Sequence, residues 1–442
     1  MAVGMHRKDA EIEPAAGALE PPRTTLGSIL WIGVATTLPV YRLIMTNVSA
    51  LFPYAVLALI VLCIILGRVA LPVFSRLWLL ALLVVPMAAV VAGTTTSVVA
   101  SAIVGIKVAL LIGLSPFVIR YFALQDRHFV RRSLTGFLAV QTFSALAGLV
   151  QVTGVRILGR AANSGRANGL AVHPNVLGIM CALAIIVCIA ALPRAHGSRR
   201  LVLLAVGTIN VAALLATGSL SSLMAAVIGV AVLLVCMRIT LRAALLVIGG
   251  ATAAFVVLST FGYDTTVLTG SVEQRIDVVT GVSDGVASLD VRERTYDFAW
   301  QSISDDPLTG VGMDGVNEAT FDGSTVVHNY LLRGWYQGGL LLFAVLLAFT
   351  VAMIALIFRC LRRAQDGIPA ATIAAMLTFA ATSAFYDQQQ YWLPILAAAA
   401  VIAPATRSTQ QRRQPKRARS STPTRTLPTL RTPTPVTGKS TV

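Results

Sequence analysis

The sequence predicts an all-α membrane protein of about 12 transmembrane helices, with one large extracytoplasmic loop between the ninth and tenth. Three observations carry that expectation. Hydrophobic residues fill 56% of 442 positions and charged ones only 12%, against roughly a quarter charged in an ordinary soluble domain. Apolar runs of about 17 to 25 residues, long enough to cross a hydrocarbon core at helical rise, recur along almost the whole chain. Lys and Arg fall on alternate connections, as the unfavourable transfer of cations across a bilayer requires.

In order, residues 1–25 form a polar leader, and the first span, 26–45, lacks the small-residue cleavage site of a signal peptide. Spans 49–66, 77–93, 98–119 and 133–152 lead to an outer loop at 153–175. Spans 176–192, 201–217, 221–237 and 242–261 lead to the long outer loop at 262–329, and 330–358, 370–386 and 392–405 complete the membrane domain, 26–405. Residues 406–442 are rich in Thr, Pro, Ser and Arg and bury too little apolar surface to fold, so they read as a disordered basic cytoplasmic tail attracted to anionic lipid.

With the N-terminus inside, the cytoplasmic segments hold 26 of the 35 basic residues. Both termini are therefore expected on the cytoplasmic side of the inner (cytoplasmic) membrane. The +16 net charge arises from these segments and so does not imply nucleic acid. The five cysteines fall within spans or near their cytoplasmic ends, a placement that implies neither a disulfide framework nor a metal motif.

Nine basic residues remain: Arg42 at the end of the first span, Lys107 within the fourth, Arg156, Arg160 and Arg166 in the first outer loop, Arg275, Arg292 and Arg294 in the long one, and Arg333 opening the tenth span. The long loop also carries 12 of the 19 acidic residues. Its central stretch, 291–303, patterns as a surface helix stopped by Asp305-Asp306-Pro307. Only two histidines face outward. His173-Pro174-Asn175 precedes the sixth span and His328-Asn329 the tenth, each at a helix N-terminus where free N–H groups and the dipole favour an anion.

The run Gly165-Arg166-Ala167-Asn168-Gly169 leading to His173-Pro174-Asn175 resembles the middle segment of the O-antigen ligase and O-antigen polymerase-like family of bacterial polytopic membrane glycosyltransferases. Arg292-Glu293-Arg294-Thr295-Tyr296, then Asp306-Pro307-Leu308-Thr309-Gly310-Val311-Gly312, and later His328-Asn329-Tyr330 with Gly338-Gly339, resemble its second signature. Tyr296 stands where the family usually has tryptophan, and Leu342 where the ligase branch has a small or hydroxylated residue.

The resemblance implies a GT-C-like helical architecture and transfer of a glycan from an undecaprenyl diphosphate carrier to an acceptor hydroxyl outside the cytoplasmic membrane, without metal or other cofactor, by a single displacement that inverts the anomeric centre. The residues fit that chemistry. Guanidinium groups stabilise a leaving diphosphate through paired hydrogen bonds, which nominates Arg166, Arg292 and Arg294. The acceptor hydroxyl needs a proton acceptor, for which His328 is the first choice.

Each has a plainer reading beside it. Arg166 anchors to headgroups, Arg292 and Arg294 pair with Glu293 or Asp297, His328 with Asn329 caps the tenth helix, and His173 with Asn175 starts the sixth. Arg333 accompanies His328 as a substrate contact. Gly310 and Gly312 allow a tight turn, or contact substrate as their place in the family motif implies. Lys107 neutralises diphosphate at depth or snorkels, whereas Arg42 reads as snorkelling. Asp387, beside Gln388, Gln389 and Gln390, is a second candidate base or sugar contact.

The rival class is a multi-spanning transporter or flippase of lipid-linked sugars; against it stand the scarcity of intramembrane charge and the lack of a visible internal repeat. A non-catalytic envelope scaffold is a third reading. Within the enzyme reading, acceptors are another carrier-linked chain, a lipid or a wall polymer.

Overall fold

The computed structural model describes residues 25–93, 97–238, 242–260, 266–279, 287–314, 320–322, 325–383 and 388–403, and the regular structure among them is helical. Each of the twelve apolar stretches contains helix. The first holds α1 (Leu26–Thr37) and α2 (Tyr41–Asn47), joined by a 3-10 turn; α3 (Phe52–Ile65), α4 (Ser75–Ala92), α5 (Val98–Gln125) and α6 (Phe129–Val152) follow. Beyond the first outer loop come α7 (Pro174–Ala191), α8 (Gly197–Ala216), α9 (Leu220–Met237) and α10 (Arg242–Thr260). The long loop contains α11 (Thr266–Val279) and α12 (Ala287–Asp305), and α13 (Tyr330–Arg363), α14 (Gly367–Ala380) and α15 (Gln389–Val401) close the bundle.

Among the described residues, eight segments are long and apolar enough to cross a membrane: Leu26–Asn47, Ser75–Ala92, Val98–Gln125, Phe129–Val152, Pro174–Arg194, Gly197–Ala216, Leu220–Met237 and Tyr330–Arg363. Of the other four expected spans, three form shorter helices, α3, α14 and α15, of 14, 14 and 13 residues, and the fourth is α10. Hydropathy overstates such spans where apolar sequence continues into non-helical chain. Residues 49–51, placed in the second span, show the effect: they precede Phe52, the first residue of α3. The predicted leader and tail lie outside the described residues.

At the centre stands α7, buried from Val176 to Ala190 and packed against α6, α8, α9 and α14. A helix that is apolar on all sides belongs where every side meets protein. Its polar neighbours add directional contacts: Gln141 of α6 donates to Cys181 Sγ of α7 and to Asn210 Oδ1 of α8, both at 3.1 Å, and Asn210 donates to Thr142 at 3.3 Å. Interhelical hydrogen bonds of this kind contribute roughly 0.6–2 kcal/mol each in a membrane.

Two helix ends are fastened by charge. Arg120 of α5 donates to the carbonyls of Ala400, Val401 and Ile402 at 3.2–3.5 Å, neutralising the negative end of α15. Between α5 and α6, Asp126 accepts from Ser28 of α1, from the His128 backbone and from Arg132.

The sequence expectation of a surface helix in the long loop is met and extended, since α12 begins four residues earlier and ends at Asp305. Asp306 then accepts from the Thr309 backbone at 3.2 Å. Ala299 and Ile303 of α12 form a small core with Val327 and with Tyr336 of α13, separate from the main bundle core. That second core docks α12 onto the start of α13.

Packing of α4 on α5 rests on small residues. A Cβ on Gly105 would lie 2.2 Å from the Ala89 Cβ, and one on Gly113 would lie 2.8 Å from the Leu82 Cβ. Gly105→Leu is therefore expected to destabilise the detergent-solubilised protein by about 1–3 kcal/mol, seen as a lowered thermal midpoint. Gly33→Leu, at a site with nothing within 4 Å, is expected to change it by no more than about 0.5 kcal/mol.

Candidate functional site

The first outer loop is held down by polar side chains of α6. Gln151 donates to the Gly169 and Arg160 carbonyls at 3.4 and 3.5 Å, and Ser144 Oγ accepts from the Leu170 backbone at 3.1 Å. Gly169 is left-handed (φ 51°), and a Cβ there would meet the Ser144 carbonyl at 2.3 Å. Only glycine allows that approach. Asn163 and Arg166 exchange two backbone hydrogen bonds of 3.0 Å, closing a tight turn.

From this turn Arg166 Nε donates to the Thr217 carbonyl at 2.6 Å, and Nη2 donates to Asn175 Oδ1 at 3.1 Å. His173 caps α7, its Nδ1 accepting from the Asn175 backbone at 3.2 Å. The helix-start reading of His173 and Asn175 is thus what their hydrogen bonds display, and Asn175 also orients Arg166.

The second group comes from α12 and the start of α13. Arg292 and Tyr296 lie one turn apart, and the Tyr296 hydroxyl donates to the His328 carbonyl at 3.3 Å. Burial lowers the Arg292 guanidinium from its ordinary pKa, and Tyr296 beside it opposes the shift. Arg294 is exposed and points to no partner among the described residues. Asn329 Oδ1 accepts from the Leu331 and Leu332 backbones at 3.1 Å, the N-cap of α13. Arg333, 4% exposed, donates to Gln337 Oε1 at 2.8 Å, and Gln337 donates to the Asp314 carbonyl at 3.2 Å.

Gly310 and Gly312 brace a break in α13. At Gly339 (φ 65°) the helix is interrupted, so the Tyr336 and Gln337 carbonyls accept instead from the Val311 and Gly312 backbones, each at 2.9 Å. Leu340 in turn donates to the Leu308 carbonyl at 3.1 Å. A Cβ on Gly339 would lie 2.1 Å from that carbonyl, and one on Gly310 would lie 2.6 Å from the Gly339 nitrogen. The glycines therefore serve backbone contact, and the Gly312 N–H is already engaged.

The two groups meet electrostatically through their histidines. Burial, reinforced by Arg42, Arg166 and His328, lowers the His173 pKa to about 4. Burial, reinforced by Arg292 and then Arg333, lowers that of His328 to about 4, a backbone hydrogen bond at Val326 opposing. Both rings are thus neutral near pH 7, His173 beside Arg42 and Arg166 and His328 beside Arg292 and Arg333. His328 Nδ1 is buried without a hydrogen-bond partner.

Sequence reasoning nominated Arg166, Arg292, Arg333, His173 and His328, and the structure brings these together, while Arg294 stays apart. Arg42, read as snorkelling, instead acts on His173. Gln337 and Thr217 went unnoticed, since a helical glutamine and a carbonyl leave no signature. Lys107 lies with Arg42 in an adjoining polar cavity, its Nζ 5.1 Å from the Tyr54 ring centroid. Asp387 lies outside the described residues.

Residues 201–347 match the family described as O-antigen ligase. That segment includes Arg292, His328 and Arg333, whereas Arg166, His173 and Lys107 precede it. No curated protein matches the chain. For the Gly339 break, Gly339→Ala is expected to cost roughly 1–2 kcal/mol for the left-handed backbone alone, with more for displacing the loop at Leu308. A lowered thermal midpoint, with increased proteolysis between Pro307 and Gly312, is the measurement that checks it.

Proposed function

We propose that this protein, whose residues 201–347 match the family described as O-antigen ligase, transfers a glycan from a polyprenyl diphosphate carrier to an acceptor hydroxyl on the extracytoplasmic face of the cytoplasmic membrane. The observation that carries this reading is the pair of neutral, half-buried histidines, His173 beside Arg42 and Arg166 and His328 beside Arg292 and Arg333.

Guanidinium groups suit a diphosphate because they present paired donors and keep their charge. Arg166 and Arg292 hold the leaving diphosphate, Arg333 supports them from its seat on Gln337, and Arg294 contacts the carrier phosphate or glycan from the exposed side of α12. The acceptor oxygen attacks the anomeric carbon. As that bond forms, the anomeric bond to the diphosphate breaks, its electron pair leaving on the phosphate oxygen, and the hydroxyl proton passes to His328. One displacement inverts the anomeric configuration. These residues supply the electrostatic stabilisation themselves, so the step as written uses no metal.

The same charges tune the base. In the empty site the arginines disfavour a proton on His328; a bound diphosphate cancels part of their field and raises the proton affinity of the ring. The base therefore strengthens when the donor arrives. His173 and Asn175 hold Arg166 in position.

Two outcomes follow for the full-length protein assayed with a polyprenyl-diphosphate-linked glycan. His328→Ala is expected to reduce transfer by about 10²- to 10⁴-fold with donor binding retained, and full activity in that variant would remove His328 as base. The acid limb of kcat/KM is expected well below the ordinary histidine value of about 6.5, because burial and the arginines both oppose protonation in the free enzyme. The limb of kcat should lie at higher pH. A free-enzyme limb near the ordinary value would contradict the buried, cation-flanked base.

A further inference from the structure

A second polar cavity lies beside the site, about 230 Å³ in volume, between α2, α5 and the start of α15. Arg42 and Lys107 supply two cations to its wall, and Gln388, Gln389 and Gln390 face them with Pro53 and Tyr41. Neither cation makes an ion pair among the described residues. Gln389 and Gln390 are 3% and 0% exposed, and their side chains are half satisfied. Gln389 Nε2 donates to the Pro53 carbonyl at 2.8 Å and Gln390 Nε2 donates to Gln388 Oε1 at 2.7 Å. Both Oε1 atoms are buried with no hydrogen-bond partner.

Buried polar atoms are normally satisfied, so two orphaned acceptors ask for hydroxyl donors. Two unpaired cations in the same small volume ask for an anion. A phosphate ester carrying neighbouring hydroxyls supplies both.

Two of the helices that wall this cavity, α5 and α15, also wall a larger, mostly apolar one of about 420 Å³. Ile119 lines it on α5, Leu393 and Pro394 line it one turn beyond Gln390 on α15, and Leu38 lines it from the 3-10 turn that precedes α2. On α5, the 12 residues from Lys107 to Ile119 correspond to about 18 Å of helical rise. Polar and apolar cavities thus follow one another along α5 and α15, the profile of an amphiphile rather than of a soluble anion.

We propose that the cavity of Arg42, Lys107 and Gln388–Gln390 binds the phosphate headgroup of a membrane lipid, hydroxyls against the two glutamine carbonyls and chain toward the apolar cavity. This does not depend on the transfer reading. The shared chemistry is a hydroxyl-bearing phosphate ester, with two sources: a polyprenyl diphosphate sugar or an anionic glycerophospholipid with a hydroxylated headgroup.

The test measures binding to the full-length, detergent-purified protein with three probes: a polyprenyl diphosphate sugar, phosphatidylglycerol and inorganic pyrophosphate. At least one lipid is expected to bind, with pyrophosphate weaker. Lys107→Met and Gln390→Glu are each expected to weaken that lipid by at least about tenfold, the size of one lost charge-assisted contact. Lys107→Arg should retain it. Loss of the polyprenyl lipid alone identifies a carrier site, and loss of phosphatidylglycerol alone identifies a glycerophospholipid site; both support the proposal. Gln390→Glu keeps the size of the side chain, so its thermal midpoint reports whether any loss reflects unfolding. Wild-type lipid binding in both Lys107→Met and Gln390→Glu, or pyrophosphate binding as tightly as either lipid, would overturn it.

Discussion

Four guanidiniums gathered around two uncharged imidazoles set the terms for the rest of this structure. Cations taken from water repel one another, and burial weakens the solvent screening that would otherwise hide them. The histidines accommodate this by staying neutral, which is why both are pushed to about 4. Arg166 donates to the Thr217 carbonyl and to Asn175, and Arg333 donates to Gln337, contacts that fix the direction of each guanidinium.

Holding that arrangement falls to two devices built at different levels. The first outer loop is pinned to α6 through Gln151 and Ser144, an approach that a side chain at Gly169 would prevent. The second group depends on α12, which reaches α13 through a small apolar core and through the Tyr296 hydroxyl on the His328 carbonyl. The break at Gly339 frees two carbonyls that bind the 308–312 loop. Behind both lies α7, enclosed by other helices, whose capped N-terminus gives His173 a fixed base.

Much of this could be read from the sequence because the lipid constraint is severe. Apolar stretches had to become helices, and all twelve contain one, with eight segments among the described residues that have the length and composition to cross. The length of α3 and α14 was not legible, because hydropathy does not register where apolar chain leaves the helix. His173, His328, Arg166 and Arg292 were legible as basic residues on connections that hold few of the chain's Lys and Arg. Asn329 and Asn175 turn out to be occupied with capping and with orienting Arg166, roles that depend on neighbours brought close by folding. Arg42 reads as a snorkelling cation at a span end, and its effect on His173 appears only once folding brings the two close. Gln337 and the Gln388–Gln390 run carry no charge signal; their meaning appears once burial leaves a carbonyl oxygen without a partner or joins a glutamine to a guanidinium.

The central claim, that arginines from separate segments share one field over the two histidines, is open to a direct measurement. Selectively labelled imidazole signals of His173 and His328 are titrated by NMR in the wild-type protein, in Arg166→Gln and in Arg292→Gln. The account predicts that Arg166→Gln moves the titration of His173 to higher pH and that Arg292→Gln does the same for His328, each from a starting point near 4. Two rings that titrate near the ordinary histidine value of about 6.5, indifferent to either substitution, would contradict it.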